Sequence, residues 1–503
     1  MPSLQQASYE ELHAAFRSGD TMRCLEAARF LDRASSGGLH PLGQLMPHAE
    51  AADRRADLLA LVEALADHAP YDCRLLELRG SLLLQIGRLD EAIDALTQAF
   101  SRRPAHLPAM GVLASAYTQA GRFPEAREVL QKMHDLDPGD PSSVSNIAYL
   151  TAAMGDMVPA LNLYRRAIMQ RPDHPQMRLN YSIALLKAGF YQQGWAEHEW
   201  RFQLPGHTSL PLSRLLPTLT PGLDLNGKHV LVTQEEGYGD TFMYLRYLPL
   251  LARHGARIRV WGADIMADLC ARVEGVEAVQ FGGETPPYDY HCPFISLPRV
   301  FSASETPFGA VVPYISADKD KSARFSALMR KEPSLHVGLV WSGAPRRDQT
   351  EAFMLDQRRS MALETLRPLF GLADVSFYSL QKGDAARQLD EGRLRGGPSD
   401  GLDTGITDLM PHVETMDDSA ALIDNLDVVV SVDTSMVHLA GAMGKTVLLM
   451  DRVNPCWRWL TDRQDSPWYP SLTIYRQQRA WDWSDVVSSV RDRLIDEAKR
   501  KRS

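Results

Sequence analysis

The 503-residue chain predicts a superhelix of helical hairpins followed by an α/β half made of two doubly wound lobes. Three observations carry this. Glycine recurs at 87, 121, 155 and 189 and proline at 70, 104, 138 and 172, both at a 34-residue interval. From His229, and again after Glu332, short β-branched runs alternate with glycine loops and helical patterns. Between the two lies a segment of large aromatics, Trp195, Trp200 and Phe202.

The repeats come first. The glycine and proline series are in phase, and the offset also places small residues: Ala92 and Ala99 after Gly87, Ala126 after Gly121, Ala160 and Ala167 after Gly155. Small side chains let two short helices approach, and the proline stops the second before the next hairpin. This pattern resembles a tetratricopeptide array, in which neighbours share one core and wind into a superhelix. The phase extends upstream through Asp53, which stands at a glycine position, and Gly19. Residues 1–72 are therefore read as degenerate or capping helical repeats and 73–203 as the tetratricopeptide repeats. The unit after Gly189 carries Gly194 where a small Ala belongs, then Trp195, Trp200 and Phe202. Such aromatics on a closing helix predict a buried joint to the next domain.

A net charge of −9 and a pI near 5.9 argue against nucleic acid as a partner. Five cysteines, far apart and without a CxxC pair, argue against a disulfide framework or zinc site and for a reducing compartment. The start MPSLQQASYEELHAAF lacks a basic region before an apolar run, and no stretch reaches the roughly 18 apolar residues of a membrane span. The expected location is the cytoplasm, with no membrane span.

Residues 204–224, rich in proline, read as a linker. HVLVTQ, EEGYGD, TFMYLRYLPLLARHGA and RIRVWG then read as strand, glycine loop, amphipathic helix and strand, the opening of a Rossmann-like lobe at 225–325. A second lobe at 326–480 opens with SLHVGLVWSG and continues through FYSLQKG, DVVVSVD, TSMVHLAGAMG and KTVLLMD. Residues 481–503 form a last helix. Two such lobes in tandem fit the GT-B architecture; two-lobed periplasmic binding proteins fit too, but the missing export signal weighs against them.

Asp433, Thr434 or Ser435 can cap the helix after DVVVSVD, whose unpaired N–H groups face the carboxyl edge of the sheet, a ready place for a diphosphate. SVDTSMVHLAGAMGK resembles the D-T-x-x-x-H-L-A-G-A-x-G-K segment of bacterial glycosyltransferases related to the lipopolysaccharide heptosyltransferases. EEGYGDTFMYLRYLPLL, VGLVWSG, YSLQKG and CWRWLTDRQDSPWYPSLTIYRQ agree with the same group in order. With an array ending in Gly194, Trp195, Trp200 and Arg201, the chain resembles bacterial repeat-containing protein glycosyltransferases, including flagellin-modifying ones, and is architecturally similar to O-linked N-acetylglucosamine transferase. The resemblance implies an α-helical tetratricopeptide superhelix followed by an α/β GT-B half with two Rossmann-like lobes, and metal-independent, inverting transfer from a nucleotide sugar as co-substrate, with no cofactor.

Gly239, Arg359, Gln381, Lys382, Asp433, Thr434, Ser435 and His438 are the candidate donor and phosphate contacts; cations and N–H donors are what a departing diphosphate needs. The resemblance puts Asp240 at the general-base position, although an Asp before a helix can equally be its N-cap. Glu235 and Glu236 are the weaker carboxylates of that loop, since the related enzymes have E-Q there. Trp457, Trp459 and Trp468 read as core or hinge. Asn146 and Asn180, each nine residues before a repeat glycine, share one helix face and suit an acceptor peptide backbone, as equivalent asparagines do in O-linked N-acetylglucosamine transferase. The expected function is transfer of a sugar to a protein recruited by the repeats, flagellin or another surface protein. The alternatives are a lipopolysaccharide or polysaccharide glycosyltransferase whose repeats bind an assembly partner, and a non-catalytic scaffold or chaperone.

Overall fold

The computed structural model describes residues 4–34, 40–207, 210–302, 312–330, 334–347, 349–390 and 405–502. They divide into two compact units: 1–167 with 345–358, and 168–344 with 359–503.

The first unit is built of antiparallel helix pairs. Leu4–Ser18 pairs with Thr21–Ala34, Cys73–Gln85 with Leu89–Arg102, and Leu107–Gln119 with Phe123–Leu136; Pro141–Ala153 is followed by Met157–Gln170. The periodic glycines sit at the turn inside each pair, where the chain must pass through left-handed backbone: φ is +85° at Gly87, +74° at Gly121 and +96° at Gly155. Gly19 does the same at +76°, and Asp53 adopts +51° before Arg55–Ala66. The first 72 residues thus keep the turn geometry even where the glycine is lost, aspartate being among the side chains that tolerate this region. Ala92, Ala99 and Ala126 are fully buried between helices. Residues 345–358 group with the repeats although they follow a strand of the other unit; a Cβ on Gly87 would fall 2.4 Å from the Gln357 amide.

The division between the two compact units falls inside Met157–Gln170. The last hairpin, Pro175–Lys187 and Tyr191–His198, belongs to the α/β unit, and Leu186, Tyr191 and Trp195 lie in that unit's core. Trp195 makes the expected joint, its ring 5.9 Å from Tyr244 and 5.2 Å from Trp457. Trp200 and Phe202 are only half-buried and carry the guanidinium groups of Arg178 and Arg201 instead. The predicted linker also packs: Leu216 is fully buried and its N–H donates to His291 O at 2.8 Å, so the segment lies along the edge of the first sheet.

That sheet is parallel, in the order β3-β2-β1-β4, with β1 His229–Thr233, β2 Arg257–Trp261, β3 Val276–Gln280 and β4 Tyr290–Pro293. The helix predicted over 241–256 is broken. Tyr238–Tyr244 gives way to a 3₁₀ turn and then Leu248–Arg253, with Pro249 unable to continue the hydrogen-bond ladder, and its residues are buried almost all round rather than amphipathic.

The second sheet is parallel too, in the order β10-β9-β8-β5-β6-β7: β5 Leu335–Val340, β6 Val375–Ser379, β7 Thr407–Asp408, β8 Val428–Val432, β9 Thr446–Asp451 and β10 Leu472–Arg476. Ser484–Arg502 covers one face through Val486, Val490 and Leu494. Relative to the chain, strand order reverses between β5 and β8, the arrangement of a doubly wound sheet.

Candidate functional site

Ligands of open α/β sheets bind outside the carboxyl ends of the strands where the order reverses. In the second sheet this is the space beyond β5 and β8, and in the first the space beyond β1. The sequence candidates stand at these edges.

After β8, the Ser435–Ala442 helix starts without any side-chain cap: Thr434 is the N-cap residue, but its hydroxyl meets Ser431 Oγ at 3.1 Å. The expectation that Asp433, Thr434 or Ser435 caps this helix is therefore corrected. Asp433 turns inward. Its Oδ1 accepts from Trp459 Nε1 at 3.0 Å, its Oδ2 lies 3.8 Å from Arg452 Nη1, and its carbonyl accepts from Arg359 Nη1 at 2.9 Å. Burial would raise this carboxyl, but Arg452 and Arg359 hold it below the ordinary value. Arg452 is more than nine-tenths buried, and its Nη1 has no hydrogen-bond partner among the described residues.

His438 is buried in the same helix. Its Nδ1 meets the Tyr469 hydroxyl at 2.9 Å, and its ring stacks on Trp459 with centroids 5.1 Å apart and planes 22° from parallel. Burial, then Arg458, lowers its pKa to about 4, so it is a neutral imidazole. Gly441 in this helix makes room for Tyr469, whose ring a Cβ would meet at 2.6 Å.

After β1, the loop leads into Tyr238–Tyr244, where Gly237 is the N-cap and Asp240 the third helical residue. Asp240 does not cap the helix with its side chain; its carboxylate is ion-paired with Arg458, a half-buried guanidinium 218 residues away in the chain. Gly239 allows the two helix starts to touch: a Cβ there would lie 2.8 Å from His438 Cδ2 and 3.4 Å from Ser435 Cα. Glycine is thus required for the close approach of the two lobes, a role its glycine loop did not reveal. Arg458 and Trp459 of the WRW segment, with Trp468 donating to Arg458 O at 3.1 Å, form the seam between the lobes. Arg246 adds to it through Trp468 O at 2.9 Å and Tyr314 OH at 3.0 Å.

Glu235 and Glu236 separate in role. Glu235 accepts from Arg201 at 2.9 Å and meets His207 Nδ1 at 2.5 Å, and Arg201, fully buried, also binds Glu199 and Ser296. The Trp200–Arg201 end of the repeats is thereby tied to the loop after β1. Glu236 has solvent access, yet the surrounding protein raises its carboxyl pKa, and neighbouring Asp240 raises it further.

Gln381 and Lys382 follow β6. Gln381 is buried and fully engaged: its Oε1 accepts from the N–H groups of Trp341 and Ser342, and its Nε2 donates to the carbonyls of Ser342 and Lys382. Its side-chain carboxamide clamps two loops. Lys382 is exposed and donates to Val413 O at 2.6 Å. Asn146 is exposed in the first unit; Asn180 is half-buried in the second and its amide oxygen accepts from Gln176.

Pattern reading missed Arg452, Arg458 and Lys187. Lys187, from the last repeat hairpin, is buried and donates to Asn454 Oδ1 at 2.6 Å in the loop after β9; burial, then Arg452, lowers its pKa to about 8. The signal available was its place on an otherwise apolar stretch, LLKAG. Among the described residues no group of three or more His, Cys, Asp or Glu is placed to hold a metal, and no helix is long and apolar enough to cross a membrane.

Residues 83–147 match the tetratricopeptide repeat family. The chain is 25% identical to Protein FlbA of Caulobacter vibrioides over 450 residues, covering 82% of this chain and 71% of FlbA, a span too long to be confined to the repeats. It is 30% identical to the TPR repeat-containing protein PA4667 of Pseudomonas aeruginosa over 174 residues, 32% of this chain and 29% of that one. Among solved structures it is similar to TTC0263, a thermophilic TPR protein of Thermus thermophilus, at 22% identity and a TM-score of 0.29, over 32% of this chain and 89% of that one. Tetratricopeptide repeats over residues 83–147 thus lie within an N-terminal helical array that is followed by parallel-sheet α/β lobes.

Proposed function

We propose that this chain is a GT-B glycosyltransferase that moves a sugar from a nucleotide-sugar donor to a protein acceptor recruited by the repeats, flagellin or another surface protein among the acceptors. One observation carries the reading: at the strand-order reversal, a helix start without a side-chain cap lies beside the Arg452 guanidinium, whose buried Nη1 has no hydrogen-bond partner among the described residues. Such donors suit the diphosphate of a nucleotide sugar, which gains negative charge as the sugar leaves. Thr434, Ser435, Arg359 and Lys382 border the same edge, and the seam of Gly239 against His438 would bring an acceptor on the first lobe close to a donor on the second.

The test is calorimetric titration with a panel of UDP-, GDP- and CMP-sugars and their diphosphates, followed by intact-mass analysis of a co-expressed acceptor. Lys382→Ala, at an exposed position, is expected to weaken binding by about 10–150-fold, the equivalent of roughly 1.5–3 kcal/mol for one charge-assisted contact. Unchanged affinity removes Lys382 from the site.

A second reading is a non-catalytic scaffold. It is favoured by Gln381 and Asp433, whose polar groups are engaged in holding loops together. Wild-type protein that binds no nucleotide sugar would select it.

A further inference from the structure

The carboxyl ends of β9 and β10 hold more positive charge than the carboxylates beside them neutralise. Three cations meet there: Arg452 directly after β9, Arg476 at the end of β10, and Lys187 from the last helical hairpin, whose ammonium donates to Asn454 Oδ1 at 2.6 Å, 267 residues on in the chain. The carboxylates facing them are Asp433 and Asp451. Arg476 is satisfied, donating to Asp451 Oδ2 at 3.1 Å and to the carbonyls of Trp459 and Leu460. Arg452 is not. Its Nε donates to Asn454 O at 2.7 Å, but its Nη1 stays 3.8 Å from Asp433 Oδ2 and has no hydrogen-bond partner among the described residues. Gln477, the residue after Arg476, repeats the pattern: its Oε1 accepts from the Val453 N–H at 3.3 Å, while its buried Nε2 has no partner among the described residues. Arg452 and Gln477 are only 7% and 3% exposed, and Lys187 only 8%.

A buried donor without an acceptor is costly, and a buried cation without a counter-charge more so. A tetrahedral oxyanion relieves both, because its oxygens accept from several donors at once and its charge offsets the unmatched cation. We infer that Lys187, Arg452 and Gln477 form an oxyanion subsite at the ends of β9 and β10 that takes a phosphoryl group. The last helical hairpin then supplies a binding residue to the edge of the second sheet. Val453, Asn454 and Cys456 on the loop after β9 are half-buried, so the subsite borders solvent. The glycosyltransferase reading is needed only to name the source, the phosphoryl group of the nucleotide-sugar donor; free phosphate offers the same chemistry.

Titration gives this subsite a signature. Burial, then Arg452, lowers the Lys187 pKa to about 8; Arg476 lowers it too, and Cys456 and Asp451 oppose. These groups face it from the end of β9, the loop after it and the end of β10. Asp451 is itself pushed up to about 6 by burial, against Arg476 and Arg452. A bound phosphoryl group favours the ammonium. Above pH 8 the free protein must therefore take up a proton in order to bind, and affinity falls as pH rises through that value.

The experiment titrates the full chain calorimetrically with inorganic phosphate and with a panel of UDP-, GDP- and CMP-sugars, at about pH 7.5 and about pH 9.5. Wild type is expected to bind about 10–30-fold more weakly at the higher pH. Lys187→Met is expected to lose about 10-fold or more in affinity at the lower pH. Lys187→Arg is expected to keep that affinity and to lose the fall with pH, because a guanidinium does not titrate there. Titration of the ligand itself is common to all three proteins, so the difference between them isolates Lys187. Should Lys187→Met melt at a much lower temperature than wild type, Lys187→Arg carries the test. Binding of inorganic phosphate with this pattern, but of no nucleotide sugar, supports the subsite and overturns the glycosyltransferase reading. Nucleotide-sugar binding that is alike in all three proteins at both pH values overturns the subsite and leaves that reading intact. A wild type that binds neither phosphate nor any of the panel overturns both.

Discussion

Ion pairs in the repeats and in the α/β unit differ in how far the least exposed of them reach along the chain. In the repeats several are short-range and wet: Arg88–Glu91 and Arg122–Glu125 are i,i+3 pairs with about 40% or more of each side chain exposed. Such pairs contribute a few tenths of a kcal/mol, roughly 0.3–0.5, and serve to solvate the outer helix face. Even the buried Arg55 meets acids only a few residues away, Glu50 and Asp53. In the α/β unit the less exposed pairs include long-range ones. Arg201 reaches Glu235 with 0% and 6% of the side chains exposed, and Arg458 reaches Asp240 with 15% and 15%. Burying a charge costs several kcal/mol, which its partner must offset. The comparison teaches where chemistry is concentrated: one half places charge where water already stabilises it, and the other holds charge at the edges of two sheets against that cost.

The sharpest way to break this comparison is to remove one member of the seam. Arg458→Ala leaves Asp240 without its cation and is expected to cost about 3–5 kcal/mol in urea unfolding of the α/β unit, the usual result of orphaning a buried partner. A loss below roughly 1 kcal/mol would mean that the seam behaves like the surface pairs of the repeats.

His438 sharpens the contrast through pH. As pH falls through 6.5 the unfolded chain protonates this imidazole, whereas the folded chain does so only near 4. Stability is therefore intact above pH 6.5 and falls by about 3 kcal/mol as pH drops from 6.5 to 4. Replacing His438 with Gln should remove that slope, which unfolding curves of wild type and variant between about pH 7.5 and 4.5 would reveal. Equal slopes would refute a neutral buried histidine.

The smallest effect belongs to the repeats. Gly155 has φ +96° and nothing within 4 Å of a Cβ, so Gly155→Ala isolates the backbone term. About 1–2 kcal/mol is expected by thermal unfolding, with Gly155→Asn costing less. A neutral alanine would show that the turn shifts at no expense.

Much of the array was legible because its determinants are local. The turn residue, the small residues and the closing proline act within one hairpin, and the phase persisted through Asp53, whose left-handed backbone stands in for glycine. The strand, loop and helix order of the α/β half was legible for the same reason. Asp240, His438 and Asp433 were recognised by position, but what they touch was not. Asp240 could be base or cap in the sequence; the fold makes it an ion-pair partner, because Arg458 arrives from 218 residues away. Gln381 was recognised by position too, and its carboxamide clamps two loops, since the N–H groups of β5's end are brought to it by strand pairing. The proline-rich 204–224 stretch read as a linker because its pairing partner, the β4 edge, lies some 80 residues on.

By itself the sequence determined the helix pairs, their 34-residue period, the parallel-strand segments and the two glycine loops, all of which depend on the conformational preferences of residues close in the chain. Only the tertiary structure decided that the last hairpin joins the α/β unit, that 345–358 joins the repeats, that Gly239 lies against His438, and that Arg458 and Arg201 pair with Asp240 and Glu235. The physical reason is range. A side chain's rotamer and turn preferences act over a few residues, whereas the partner that offsets a buried charge is delivered by sheet order and packing, and these are properties of the whole folded unit.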